Sequence, residues 1–296
     1  MFRKWIEAMR LRTIPVSIAG VITGTALAIW KGEFSLLPAL LCLVFAISAQ
    51  IASNFGNEYY DFVNGMDKKG REGFRRGVTE GDITPKAMKY ATFLMLGMAA
   101  LTGCSLLLFG GWWLLPVGLC VMIAALAYST GPYPLSHHGL GDLTVVIFFG
   151  VVPVTLTFWL QTEQWCELEI LLGTSVSVGL MAANVLIVNN YRDMDDDRDV
   201  GKNTTVVLFG RKVMGTVYLI SGILAMALMI PLWLSLPEWI IILPAFYLMM
   251  HVSTWRKITK SRGSELNPLL GKTAMNLLMF SLMLLAVLIS ARLWFR

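Results

Sequence analysis

The 296-residue sequence is 56% hydrophobic and only 15% charged, with a mean hydropathy of +0.66. Soluble domains carry about 25% charged residues, so a soluble globular protein is excluded. The net charge of +5 would suit a nucleic-acid partner, but no nucleic-acid motif accompanies it, and the excess suits loops that face anionic lipid.

Nine apolar runs reach or approach the roughly 20 residues needed to cross a bilayer. They fall at approximately 13–30, 36–56, 90–109, 112–130, 143–161, 168–190, 213–234, 237–253 and 273–291. The runs are continuous rather than alternating, which predicts helices and not barrel strands. The expected fold is all-α: a single polytopic membrane domain over 1–296, with nine transmembrane helices around a central cavity. Of the 24 Lys and Arg, all but Lys31, Arg292 and Arg296 lie in the N-terminal tail or after even-numbered spans. Positive loops stay inside, so the N-terminus is expected in the cytoplasm. Trp30, Trp112, Trp113, Trp159, Trp165, Trp233, Trp239 and Trp294 fall at the opposite span ends, as interfacial anchors would. Cys42, Cys104 and Cys120 lie within spans, where buried inert thiols are expected, and Cys166 stands alone in a short outer connection.

The segment Arg10-Leu11-Arg12-Thr13-Ile14-Pro15 leads into the first span. It suits a snorkelling anchor, and Arg12 is equally placed to bind an aromatic carboxylate.

A first acidic motif, 54–67, ends the second span. Asn54, Asn57, Glu58 and Asp61 share one helical face at i, i+3, i+4 and i+7, and Asp67 follows. Asparagine is costly in lipid, so Asn57 is expected to face the interior and complete a metal or phosphate site. Arg75-Arg76-Gly77-Val78-Thr79 comes next; Arg76 is close enough to the acids to contact a substrate phosphate. Lys68 and Lys69 suit simple retention of their loop in the cytoplasm.

The connection Tyr128 to Asp142 is rich in Gly and Pro and has no Lys or Arg. It is expected to turn under the cavity rather than lie on lipid. His137 and His138 are adjacent and do not converge as a metal pair; they are taken as loop residues.

The second acidic motif, 189–202, follows an apolar run without a polar linker. If the helix continues, Asn189, Asp193 and Asp197 stack on one face, where like charges repel and require a positive partner. A magnesium ion suits such hard oxygen ligands. Asn190, Arg198 and Lys202 lie beside the acids and are candidate substrate contacts. Both motifs follow even-numbered spans, begin with asparagines and are followed by basic residues and Thr, which predicts two pseudo-repeated halves facing each other. Two opposed carboxylate clusters suit a diphosphate bridged by metal ions.

Asn190-Tyr191-Arg192-Asp193 through Asp197-Arg198, with Gly201-Lys202-Asn203-Thr204, resembles the UbiA superfamily of intramembrane aromatic prenyltransferases. Asn57-Glu58-Tyr59-Tyr60-Asp61 with Asp67, the Arg-Thr-Ile-Pro tail and Tyr128-Ser129-Thr130-Gly131-Pro132 resemble its branch acting on 1,4-dihydroxy-2-naphthoate. Glu58 stands where that superfamily usually has Asp. The resemblance implies Mg²⁺ at Asn57, Asp61, Asp67, Asp193 and Asp197, with Asp61, Asp193 and Asp197 catalytic. It implies a polyprenyl diphosphate and an aromatic acid as partners, in contact with membrane lipid and with no nucleic acid. The diphosphate and acceptor would meet Asn57, Arg76, Asn190, Arg198, Lys202, Tyr128 and Arg12, while Tyr60, Tyr128 or Tyr191 could shelter a carbocation. Prenyl transfer with loss of carbon dioxide would give demethylmenaquinone, at the cytoplasmic side of a bacterial inner membrane. Rival readings are the same chemistry on 4-hydroxybenzoate, a CDP-alcohol phosphotransferase, whose Asp-Gly…Ala-Arg signature is absent, and a carboxylate-lined cation transporter.

Overall fold

The computed structural model describes residues 2–70, 73–165 and 167–294, the side chain of Trp294 excepted. The expectations on Cys166, Trp294 and Arg296 lie outside the described residues. The chain is helical, and its one β-type contact is an isolated parallel bridge between His138 and Asn203 among the described residues. A short amphipathic helix, α1 (Phe2–Met9), leads into α2 (Ile14–Lys31), α3 (Leu36–Val63), α4 (Pro85–Gly110) and α5 (Leu114–Ala127). Then come α6 (Gly141–Thr162), α7 (Leu168–Asp199), α8 (Thr205–Leu234), α9 (Ile242–Ile258) and α10 (Asn267–Trp294). The nine predicted runs correspond to α2–α10 in order. Seven helical segments are long and apolar enough to cross a membrane; α5 is shorter at 14 residues and α9 at 17. The chain is a multi-pass membrane protein.

Element boundaries follow local chemistry. Thr84 and Thr204 cap α4 and α8, accepting hydrogen bonds from the Ala87 and Val207 amides. One such capping threonine follows each acidic motif, while Thr79, the threonine noted after the first, donates to Asp67. Gly210 interrupts α8 with φ 80° and ψ 160°, a conformation that favours glycine. The predicted span began just after it, at 213. Inside α6, residues Val146–Val151 form a π-helical turn, and Pro153, which has no amide hydrogen to donate, comes two residues after it.

Close packing is concentrated on α2, α6 and α7. A Cβ at Gly24 would meet the Val154 carbonyl at 2.6 Å, and one at Gly150 would collide with the backbone of Gly179 and Ser175. The main apolar core joins α2, α7, α8 and α10. In contrast, Leu114 is the one buried residue of α5. Cys42 is buried, but Cys104 and Cys120 are exposed on the outer faces of α4 and α5. The expectation of three buried thiols is therefore corrected: hydropathy does not distinguish a lipid-facing surface from an interior, because both are apolar. Trp113, Trp159 and Trp165 cluster at one end of the bundle, with Trp159 at 4.8 and 6.0 Å from its two neighbours.

Candidate active site

At the other end of the bundle, α3 and α7 both run on past their apolar stretches, and the two acidic motifs lie on these extensions. The last turns of α3 present the polar face read from the sequence. Asn54 donates to the Met9 carbonyl (2.9 Å) and to Thr13 (3.2 Å), which ties the N-terminal segment down. Asn57 accepts from Arg10 Nη2 and Arg76 Nη1, both at 3.0 Å, and donates to Ser129 Oγ at 3.0 Å. Glu58 accepts from the Val78 amide at 3.0 Å and so anchors the following loop. In that loop Asp82 accepts from Arg75 and Lys4, which hold its carboxyl below the usual range.

Asp61 is fully buried. Lys202 Nζ donates to its Oδ2 at 3.4 Å, Arg76 Nη2 lies 3.8 Å from the same oxygen, and His137 Nε2 lies 3.5 Å from Oδ1. Asp67 accepts from Thr79 Oγ1 at 2.8 Å, with Arg76 Nε 3.6 Å away. On α7, helix continues through the whole run 189–199, as the stacking argument required. Arg192 grips Asp193 bidentately, at 2.7 and 2.8 Å, and also donates to Asn189 and Asn267. Asp197 is buried and lines a cavity together with Asn57, Asn190, Asp193 and Lys202.

The connection between α5 and α6 closes the cavity from below. Ser136 and His137 are buried, and the Asn203 amide donates to the His137 carbonyl at 3.1 Å. The basic-free turn was expected there. Tyr128, Gly139, Gly141 and Asp142 line the floor, and walls of Val, Leu and Phe from α5, α6 and α7 run on toward the apolar end.

Several expectations need correction. Arg12 does not reach the cavity: its guanidinium stacks 3.7 Å over Phe74. Arg10 enters instead, because its left-handed backbone (φ 52°, ψ 54°) turns the chain between α1 and α2. Arg198 is half exposed and meets Asp195 at 3.6 Å on the outer surface. Asn57 as a metal ligand gives way to a clamp, since its carbonyl oxygen already accepts two guanidinium donors. Tyr191 is packed in the core near Arg211 and Arg262, and Tyr60 meets Tyr59 edge to face, so of the three tyrosines only Tyr128 lines the cavity. Lys68 is more than a topology signal: it bridges Asp196 and Asp199 at 3.1 and 2.9 Å, linking the loop of the first motif to the second. Asn184 accepts from Ser221, an interhelical bond between α7 and α8. The residues missed are Arg10, His137, Arg192 and Asp142; for Arg10 the only sequence signal was its place beside Arg12.

The donor set fits magnesium. Asp61 Oδ1 is buried with no hydrogen-bond partner, and Asp193 and Asp197 line the cavity. Among the described residues no three carboxylate, Cys or His groups form a ready-made cage. Magnesium characteristically takes one or two carboxylates and completes its shell with water and substrate phosphate, so a cage is not required.

Residues 17–282 match the UbiA prenyltransferase family. The 1,4-dihydroxy-2-naphthoate octaprenyltransferase of Escherichia coli (strain K12) is 41% identical over 70% of this chain and 68% of its own length. That of Haemophilus influenzae is 32% identical over 95% of this chain and 94% of its own. A UbiA homolog from Archaeoglobus fulgidus bound to DMAPP and Mg²⁺ superimposes with a TM-score of 0.67, at 14% identity over 96% of this chain and 99% of that one. With the paired acidic motifs of α3 and α7 around one cavity, these likenesses make the chain a member of the UbiA prenyltransferase family.

Proposed function

We propose that the protein transfers a polyprenyl group from an allylic diphosphate to 1,4-dihydroxy-2-naphthoate, releasing pyrophosphate and carbon dioxide. The prenylated product is the reduced form of demethylmenaquinone. The observation that carries this reading is the contact of Asp61 with Lys202, one from each motif, where Lys202 lines the polar end of an otherwise apolar cavity. The relatives from Escherichia coli and Haemophilus influenzae carry that activity in their names, which favours the naphthoate among aromatic acceptors.

In this reading Asp61 with Asp67, and Asp193 with Asp197, would hold Mg²⁺. The metal would neutralise charge on the departing pyrophosphate. Arg10, Arg76 and Lys202 bind the diphosphate oxygens directly; Asn57 fixes the first two so that their charge is already oriented before substrate arrives. Arg192 holds Asp193 in one orientation. The prenyl chain occupies the apolar walls, and the acceptor ring lies near Asn190 and Tyr128. The closed floor keeps bulk water from the carbocation. The nine helices span a bacterial inner membrane with the N-terminus and the acidic end cytoplasmic, in keeping with the basic loops at that end.

The test is product mass spectrometry on purified protein given Mg²⁺, a defined prenyl diphosphate and equal amounts of dihydroxynaphthoate and 4-hydroxybenzoate. Decarboxylated, prenylated naphthoquinol is expected. Exclusive prenylation of 4-hydroxybenzoate would refute the acceptor assignment, and cation uptake without pyrophosphate release would refute the enzyme.

A further inference from the structure

Asp142 is used by none of the steps above. It sits in the first turn of α6 and lines the same cavity as the acidic motifs. Thr205 Oγ1, from the capped start of α8, donates to its Oδ2 at 2.5 Å. The other oxygen, Oδ1, is buried and has no hydrogen-bond partner. A buried acceptor left unsatisfied costs about 1–3 kcal/mol, and more when it is charged, so such an atom in a cavity wall is a place for a ligand donor. Its surroundings suit a flat aromatic ring. Tyr128 lies beside it, close enough that a Cβ on Gly141 would come 3.5 Å from the Tyr hydroxyl. Phe148 and Phe149 line the same cavity from the π-helical turn that continues α6. Ser136 Oγ, also on the cavity wall, is a second buried polar atom without a partner.

We infer that Asp142 is a catalytic residue: its free oxygen accepts a hydrogen bond from a ring hydroxyl of the acceptor and removes that proton as the new carbon–carbon bond forms. The inference rests on the acceptor being a hydroxylated aromatic acid, as proposed above. The balance is as follows. The hydroxyl proton passes to Asp142 Oδ1, and the resulting aryloxide supplies the electron pair that joins the carboxyl-bearing ring carbon to the allylic carbon. The allylic C–O bond breaks and pyrophosphate leaves with its pair. The ring carboxylate departs as carbon dioxide, and its bonding electrons restore the aromatic ring as an aryloxide. That aryloxide takes the proton back from Asp142, so the residue returns to its starting state and no oxidant is consumed. Thr205 holds the carboxylate in position throughout; it is a positioning residue.

The experiment compares wild type with Asp142→Asn, Asp142→Glu and Asp142→Ala, measuring turnover and, separately, binding of a non-ionising thiodiphosphate analogue of the prenyl donor with Mg²⁺. Asp142→Asn is expected to lower kcat by about 10²–10⁴-fold, the usual contribution of a general base, while analogue binding stays within about threefold of wild type, a change of under about 1 kcal/mol. Asp142→Glu is expected to keep part of the activity, and added formate is expected to raise turnover of Asp142→Ala, which a purely structural role would not produce. Retained analogue binding also shows that each variant is folded. The inference is overturned if Asp142→Asn turns over like wild type, if analogue binding falls in step with kcat, or if formate leaves Asp142→Ala unchanged. Wild type that prenylates no hydroxylated aromatic acid overturns the proposed function and this inference together; an active wild type with an equally active Asp142→Asn overturns the inference alone.

Discussion

Lys202 Nζ lies 3.4 Å from Asp61 Oδ2, and this contact joins residues 141 positions apart in the chain. It brings the end of the second acidic motif onto the fully buried carboxylate of the first, so a charge from each half is compensated by the other before any substrate binds. The repulsion expected among the acids of α7 is met in the same way by the chain's own cations: Arg192 on Asp193 and Lys68 on Asp196 and Asp199.

Asp61 should tolerate loss of its charge structurally but not functionally. Asp61→Asn keeps the size and a hydrogen-bonding oxygen for Lys202, so the protein is expected to remain folded in detergent. Removing an electrostatic contact made to developing charge costs about 10²–10³-fold in turnover. Steady-state kinetics with size-exclusion chromatography as the folding control check this; turnover near wild type would take Asp61 out of the mechanism.

The two arginines of the N-terminal segment should behave oppositely. Arg10→Ala removes a charged donor from the cavity and is expected to lower kcat/KM for the prenyl diphosphate by about 10–100-fold, equivalent to about 1.5–3 kcal/mol. Arg12→Ala loses its stacking on Phe74, a cation–π contact of about 0.5–2 kcal/mol, and is expected to lower thermal stability with kcat/KM changed only slightly. Kinetics and melting curves of both variants decide the point, and a reversed pattern would contradict the placement of Arg10.

Arg198 and Arg76 form a second contrasting pair. Arg198 is half exposed and meets Asp195 on the surface, whereas Arg76 is buried between Asn57, Asp61 and Asp67. Arg198→Ala is expected to leave KM for the diphosphate unchanged, and Arg76→Ala to raise it by about tenfold or more, since a buried charged hydrogen bond contributes about 1.5–3 kcal/mol. Equal effects of the two substitutions would place Arg198 at the substrate after all.

Chelation by EDTA is expected to stop product formation, and added Mg²⁺ to restore it. Asp193→Asn, which weakens the donor set, should shift the magnesium activation curve to higher concentration. An unshifted curve, or full activity in EDTA, would rule out the metal assignment.

Gly150→Ala places a methyl group against the backbone of Gly179 and Ser175, atoms that cannot rotate aside. Overpacking of this kind costs about 1–3 kcal/mol, and more where only backbone can move. A markedly lower melting temperature in detergent is expected; an unchanged one would mean that α6 and α7 are not locked together there.

Continuity of hydropathy made the helices legible, and the position of acids and asparagines at span ends pointed to the polar end of the cavity. Asn57, Asp61, Asp193 and Lys202 were readable because each carries polarity where lipid would penalise it. What was not readable depends on a single backbone angle or on tertiary contact. Arg10 and Arg12 are chemically alike, and only the left-handed turn at Arg10 decides which one points inward. His137 and Asp142 gain meaning from a loop folding under α3 and α8, far away in sequence. Cys104 and Cys120 were misplaced because residues facing lipid look the same as residues facing a protein core.

The single buried residue of α5 has a mechanical consequence. This helix turns Val117, Gly118 and Val121 toward the cavity and Leu115, Leu119 and Ile123 outward, so it is a partition one helix thick between the reaction chamber and the surrounding hydrocarbon. With α6 and α7 packed backbone to backbone at Gly150 and Gly179, α5 is the cavity wall with the least packing behind it. Bilayer tension and acyl-chain order would then press on the chamber through that partition, making turnover responsive to the physical state of the membrane.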